Sequence, residues 1–237
     1  MRQYTEIKIY FFDDVTSLES FFDSSIDTNA QKIISVDLSN FNSSLITNVN
    51  NMFKGCTSIT SINFSNFITS KINTMIKLFY GCNALVSIDL SNFDTSSVIN
   101  MEYMFYECSA LQTLTLSSKF VTSKVVSMEY MFYGCKKLQT LTLSSNFITS
   151  KVQKMNHMFY ECNKLQSISL SSFNTQLVVN MENMFYGCSS LISLDLSKFI
   201  TSSVNNTKSM FRGCTSLKTI TLSNKFVTSN PQSPIPM

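Results

Sequence analysis

The sequence predicts an α/β solenoid, a right-handed leucine-rich-repeat-like array with a parallel β-sheet on one face and short helices on the other. Two observations carry this. Seven cysteines stand at 56, 82, 108, 135, 162, 188 and 214, spaced 26, 26, 27, 27, 26 and 26 residues apart, and a fixed period of roughly 20–50 residues marks a repeat architecture. Nearly every other residue keeps the same step. One unit reads Cys82-x2-Leu85-x2-Ile88-x-Leu90-Ser91-x-Phe93-x-Thr95-x2-Val98-x2-Met101-x2-Met104-Phe105-x2, and Cys108 opens the next. Each coil then buries its apolar residues against its neighbours alone, so the 237 residues read as one elongated array.

The elements follow in chain order. Residues 1–32 read as an N-terminal strand, Glu6–Phe12, and a degenerate capping repeat. In that repeat Leu18, Phe21 and Phe22 match Met128, Met131 and Phe132, with Ser25 where the cysteine would stand. Residues 33–229 form the solenoid. In its strand segment Leu85-x2-Ile88-x-Leu90, Ile88 and Leu90 point to one side, as alternation requires. Equivalents at Ile33–Leu38, Ile59–Phe64, Leu111–Leu116, Leu138–Leu143, Leu165–Leu170, Leu191–Leu196 and Leu217–Leu222 bring the expected strands to eight. They are parallel because a full turn of the coil separates them, and such crossovers are right-handed.

The next stretch reads as a helix. Val98, Met101, Met104, Phe105 and Cys108 follow at steps of three, three, one and three, a helical stripe. Thr95, Ser96 or Ser97 is placed to cap its first turn. Glycines at 55, 81, 134, 187 and 213 precede a cysteine, where a left-handed helix end costs little. Glu107 and Glu161 take that place in two coils, which implies that the left-handed conformation is not required in every coil. Length varies only at Lys119, Asn146 and Lys225, which marks a surface turn. Residues 230–237 carry Pro231, Pro234 and Pro236 and cannot supply the next helix. The expectation is an uncapped C-terminal coil, open to weak self-association.

The unit Leu-x-Leu-Ser-x-Phe-x-Thr-Ser-x-Val-x2-Met-x2-Met-Phe-x-Gly-Cys-x2-Leu resembles that of the BspA-like leucine-rich-repeat surface proteins, over roughly residues 33–229. The resemblance implies a horseshoe-like array displayed at cell surfaces, linked with adhesion and with binding of host or matrix proteins. It supplies no catalytic residues. The chain's own N-terminus points elsewhere. The apolar stretch Ile7–Phe12 holds Lys8 and runs into Asp13 and Asp14, unlike a signal peptide. No run approaches the ~18 apolar residues of a membrane span. Read alone, the sequence is cytoplasmic; the resemblance implies the cell surface.

Composition excludes several classes. Charged residues are 14% of the chain and the net charge is +3, too small to imply nucleic acid, and nothing suggests membrane insertion. The cysteines lack the C-x-x-C spacing of a metal site. A disulfide ladder between stacked coils is the sharper alternative, but parallel side chains ~4.8 Å apart suit a bridge poorly. The expectation is therefore that Cys56, Cys82, Cys108, Cys135, Cys162, Cys188 and Cys214 are buried apolar core. The single histidine, His157, shares its column with Tyr103, Tyr130 and Asn183 and reads as a solvated surface position. No glycine-rich phosphate loop or carboxylate pair appears. Neither catalysis, metal nor cofactor is expected.

What remains is surfaces. On the strand face, outward columns hold Ser35, Ser61, Ser87, Thr113, Thr140, Ser167, Ser193 and Thr219, beside Asp37, Asn63, Asp89, Thr115, Thr142, Ser169 and Asp195. On the helix face, Tyr80, Tyr106, Tyr133, Tyr160 and Tyr186 form one column, completed by Lys54 and Arg212. The predicted function is a non-enzymatic scaffold that binds a protein or glycan, in cell-surface adhesion or recognition. Two alternatives stand beside it: an ice- or crystal-surface binder acting through the Ser/Thr face, and a structural spacer or fragment of a longer repeat protein.

Overall fold

A computed structural model describes residues 15–227. The strand expected at Glu6–Phe12 and the proline-containing tail lie outside these residues. The chain coils with the predicted period. Six short strands occupy the predicted positions: β1 Ser35–Asp37, β2 Ser61–Asn63, β3 Thr113–Thr115, β4 Thr140–Thr142, β5 Ser193–Leu196 and β6 Thr219–Leu222. They pair in parallel as β1–β2, β3–β4 and β5–β6, with equivalent residues of successive coils opposite one another, such as Leu114 and Leu141. The expected eight-stranded sheet is thus divided. At 85–90 and 165–170 no strand forms, although Ser87, Asp89, Ser167 and Ser169 still face solvent and Leu90 and Leu170 are still buried. Side-chain alternation needs only the pleat, whereas pairing also needs the backbones to approach, and that approach lapses at these two coils.

The helical face is not helical. The only helix among the described residues is a 3-10 turn, Thr28–Lys32, capped by the Asp27 carboxylate accepting from Asn29 N. Between Val98 and Cys108 the chain is a run of β-turns. Met104 N bonds Met101 O, Tyr106 N bonds Tyr103 O and Cys108 N bonds Phe105 O. The intervening N–H groups leave the coil altogether. Tyr103 N reaches Glu129 O, Phe105 N reaches Met131 O and Glu107 N reaches Tyr133 O. Parallel bridges then link Ser17, Asn48, Thr74, Asn100, Ser127, Lys154, Asn180 and Asn206 without a break. This second face carries the continuous backbone ladder that was expected of the strands.

The reason lies in backbone sign. Two residues per coil sit in the left-handed region. One is the residue before the cysteine, including Glu107 at φ 53° and Glu161 at φ 52° as well as Gly81 at φ 71°. The other lies four residues earlier: Asn51, Lys77, Tyr103, Tyr130, His157, Asn183 and Ser209. Positive φ at the third position is what a type II turn requires, and it interrupts a right-handed helix each time. The left-handed conformation is therefore used in every coil, and two coils hold it with glutamate. Successive turns still return every third or fourth side chain to one side, so the apolar stripe that suggested a helix is buried here as well.

The interior is a set of columns. Phe22, Phe53, Phe79, Phe105, Phe132, Phe159, Phe185 and Phe211 stack ring on ring with centroids 5.3–6.0 Å apart. A threonine column went unpredicted. Thr69, Thr95, Thr122, Thr149, Thr175 and Thr201 are buried, and each Oγ1 donates to a carbonyl of the next coil, as from Thr122 to Ile148 O at 2.7 Å. Thr95 is thus an inter-coil link rather than a helix cap. Such a bond contributes about 1 kcal/mol net, and leaving the buried carbonyl unmet would cost more.

Candidate functional site

The tyrosine column is built by the turns. Each tyrosine follows a buried phenylalanine and lies just before the left-handed residue, so its ring leaves the core half-exposed. Since coils stack in register, the rings stack too. Tyr80, Tyr106, Tyr133, Tyr160 and Tyr186 lie nearly parallel, with centroids 4.4–4.6 Å apart. Arg212 continues the column, its guanidinium 5.9 Å from the Tyr186 centroid.

Beside it runs the column of His157, which the sequence reading took for a solvated surface row. Tyr103 stacks on Tyr130 at 4.7 Å and Tyr130 on His157 at 4.5 Å. Lys77 covers the open face of Tyr103 at 5.2 Å, and Asn183 Nδ2 meets His157 Nε2 at 2.9 Å. His157 is therefore not a solvated surface position but a half-buried member of a stack. The two columns interlock, with Tyr103 and Tyr106 centroids 5.7 Å apart and Tyr130 and Tyr133 5.8 Å apart. Eight rings form one band.

Carboxylates flank this band. Glu102, Glu129 and Glu182 precede the second column by one residue, and Glu107 and Glu161 follow the first by one. Burial, helped by Tyr80, Tyr133 and Glu107, holds the Tyr106 phenol well above its ordinary range. Tyr103 and Tyr130 are raised by burial first and then by neighbouring charge, including Glu129. Raised in this way, the Tyr103, Tyr106 and Tyr130 phenols stay neutral donors and acceptors at physiological pH. Burial depresses His157, against the opposing pull of Glu182 and Glu129. Its Nδ1 and the adjacent Asn156 Oδ1 are buried without a hydrogen-bond partner among the described residues.

The strand-face candidates are dispersed rather than gathered. All fifteen, from Ser35 to Thr219, are exposed. The middle column has local work. The Asp37, Asn63, Asp89 and Asp195 side chains each accept from the backbone N–H two residues on, at 2.8–3.0 Å. These bonds close the turn after the strand. The backbone bond to Ser39 and its counterparts at Ser91 and Ser197 hold Asp37, Asp89 and Asp195 below the usual carboxylate range.

The cysteines offer no nucleophile. Cys56 to Cys188 are buried and Cys214 is half-buried, all as free thiols. Each Sγ lies 3.1–3.3 Å from the carbonyl oxygen of a phenylalanine in the preceding coil, as Cys135 to Phe105 O. Burial pushes the Cys108 thiol up to about 12 and Cys214 to about 11, and reactivity belongs to the thiolate. Among the described residues no group of three or more His, Cys, Asp or Glu is placed to hold a metal. In the same residues no helix is long and apolar enough to cross a membrane.

With the coil geometry in hand, relatives can be placed. A family model described as "Mycoplasma protein of unknown function, DUF285" matches residues 16–145 and again 139–233. The chain belongs to this family. No curated protein matches it. Among solved structures it is similar to a leucine-rich-repeat protein of T. pallidum, at 19% identity and a TM-score of 0.38, covering 57% of this chain and 69% of that one. It is also similar to a leucine-rich cell surface protein of Faecalibacterium prausnitzii, at 17% identity and a TM-score of 0.41, covering 86% of this chain and 62% of that one. A leucine-rich-repeat protein of Bacteroides ovatus matches at 18% identity and a TM-score of 0.34, over 80% of this chain and 69% of that one. These neighbours are bacterial leucine-rich-repeat proteins, the kind the repeat resembles.

Proposed function

We propose that this chain is a non-enzymatic recognition scaffold whose binding face is the aromatic band. The observation that supports it is eight half-exposed rings, Tyr80, Tyr103, Tyr106, Tyr130, Tyr133, His157, Tyr160 and Tyr186, held rigid by mutual stacking. Tyrosine dominates binding hot spots because it offers large area and a polar tip at little entropic cost. Here the stacking has already removed the rotamer freedom that a partner would otherwise have to freeze. Placement at a cell surface, in adhesion or recognition, is part of the proposal and rests on the resemblance of the repeat to the BspA-like proteins. A second reading places the partner on the strand face, favoured by the uniform exposure of its hydroxyl columns.

One comparison separates them. The purified chain is screened against arrays of matrix proteins and glycans, together with two variants. Replacing Tyr106, Tyr133 and Tyr160 by Ser should abolish capture of the partner while the circular dichroism spectrum is kept. Replacing Ser87, Thr113 and Thr140 by Lys should leave capture unchanged. The reverse outcome assigns binding to the strand face and overturns the aromatic reading.

A further inference from the structure

The band's own geometry narrows what it can hold. Every interior ring has both faces covered: Tyr106 lies between Tyr80 and Tyr133, Tyr133 between Tyr106 and Tyr160, and Tyr130 between Tyr103 and His157. Two of the end faces are covered by Lys77 and Arg212. A sugar ring packs on the open face of an aromatic ring, and this band presents edges and phenolic oxygens instead. A glycan platform is the wrong match.

Charge along the band is patterned. Cations stand at its two ends, Lys54 and Lys77 at one and Lys208 and Arg212 at the other, with five carboxylates between them: Glu102, Glu107, Glu129, Glu161 and Glu182. Lys154 pairs with the half-buried Glu129 at 3.2 Å and Lys136 with the more exposed Glu161 at 3.6 Å; the second is a surface pair of little worth. Glu102 and Glu107 form no salt bridge among the described residues. A second copy laid antiparallel would set cations on cations and carboxylates on carboxylates. In the column Glu102, Glu129, Asn156, Glu182 the asparagine is 5% exposed, its side chain meets the Tyr130 phenol, and its Oδ1 has no donor. Toward solvent the centre of the band presents the Glu102 and Glu107 carboxylates, beside Glu129, paired with Lys154, and Glu182, whose Oε2 accepts from Asn206 Nδ2 at 3.0 Å.

We propose that the aromatic band docks a basic segment of a partner polypeptide, whose Lys or Arg side chains meet the Glu102, Glu107, Glu129 and Glu182 carboxylates and the phenolic oxygens between them. This rests on the band being the binding face. Glu102 to Glu182 spans three coil steps, about 14 Å at ~4.8 Å each, the length of four to five extended residues at ~3.3 Å. Arginine suits the site best, since its fork can serve a carboxylate and a phenol together. The chain's own Lys77 and Arg212, seated on the ends of the stacks, show the same preference for cations.

The test uses three probes with the full chain: a short peptide alternating Arg and Ser, its Glu-for-Arg counterpart, and a neutral hexasaccharide. Binding is followed by tyrosine fluorescence and tyrosine ring NMR shifts, at low and high salt. The Arg peptide should bind and shift the tyrosines, weaken with salt, and lose about tenfold in affinity, ~1.4 kcal/mol, in Glu102→Gln/Glu107→Gln/Glu129→Gln. That variant replaces exposed or half-exposed side chains and should keep the wild-type melting temperature. The Ser87→Lys/Thr113→Lys/Thr140→Lys variant should bind as wild type. Equal affinity of the Gln variant, or no binding of the Arg peptide, overturns the proposal. If the hexasaccharide or the acidic peptide binds instead and the Tyr→Ser variant abolishes it, the basic partner falls while the band remains the binding face. If no probe depends on the tyrosines, both fall.

Discussion

Gly81→Ala isolates the energy stored in the left-handed turn. Gly81 stands at φ 71°, and a Cβ added there would meet Gly55 Cα at 3.6 Å and Gly55 N at 3.7 Å, ordinary contact. The cost is therefore backbone conformation alone, roughly 1–2 kcal/mol for an L-residue in this region. Alanine also narrows the unfolded ensemble, which returns roughly 0.4–1 kcal/mol, leaving a net loss of about 1 kcal/mol. The reciprocal change, Glu107→Gly, removes the same penalty from a residue at φ 53° and should stabilise by about 0.5–1 kcal/mol after the entropic loss. Gly55→Ala should cost more than Gly81→Ala, because its Cβ would fall 1.9 Å from Ser24 Oγ and 3.1 Å from Ser24 Cβ. Urea unfolding compares the midpoints at constant slope. For a chain of this size about 1 kcal/mol corresponds to ~2–4 °C in Tm. An unchanged midpoint for Gly81→Ala, or a clear loss for Glu107→Gly, would refute the argument that each coil requires this conformation.

Two further outcomes follow from the buried groups. Thiol titration should find all seven cysteines reactive in denaturant without reductant, and in the native state Cys214 should react first because it alone is half-buried; thiols missing in denaturant would contradict free cysteines. Within the same column Cys135→Ala should cost about 1–3 kcal/mol through lost packing and the lost thiol bond to the Phe105 carbonyl, which keeps its bond from Cys108 N, and Cys135→Ser, whose hydroxyl can take over the bond, should cost less. His157 sets a pH dependence. Burial depresses its folded pKa below the ordinary 6.5, so the unfolded chain takes up the proton first. Its stabilising contribution is complete above pH ~6.5 and is lost as pH falls toward and through the depressed folded value. His157→Tyr, which restores the residue of Tyr103 and Tyr130, should remove that component of a melting-temperature profile between neutral and mildly acid pH; an identical profile in the variant counts against it.

The period, the burial pattern and the outward columns were legible because they depend only on which residues recur. Leu85, Met101, Phe105 and Cys108 are all fully buried, as their spacing implied. The sign of φ was not legible. Glycine before the cysteine hinted at it, but Glu107 and Glu161 looked like exceptions, and a stripe at steps of three and four fits a run of turns as well as a helix. The second ring column was visible as the recurrent Tyr103, Tyr130 and His157, three residues before Tyr106, Tyr133 and Tyr160, a spacing that makes neighbours on a helix as well. What was not drawn from it was the stacking of these rings coil on coil, so His157 was read as a solvated position. Thr122 and its equivalents were visible as recurrent residues, yet a surface cap and a buried inter-coil donor call for the same hydroxyl.

On the tyrosine face the alternate N–H groups that leave each coil find the equivalent carbonyl one coil on, as Tyr103 N to Glu129 O and Tyr130 N to Asn156 O, which makes every internal junction the same joint on this face. A whole coil could be duplicated or deleted by recombination and the broken ends would meet partners identical to those they lost. A single inserted residue has no such freedom except at the turn of Lys119, Asn146 and Lys225, because elsewhere it would slide a run of donors past their acceptors. Coil number is therefore open to neutral drift in a way that coil length is not. Each added coil would also lengthen the aromatic band by one step, so valency could be tuned by copy number alone, with no change of residue at any existing contact.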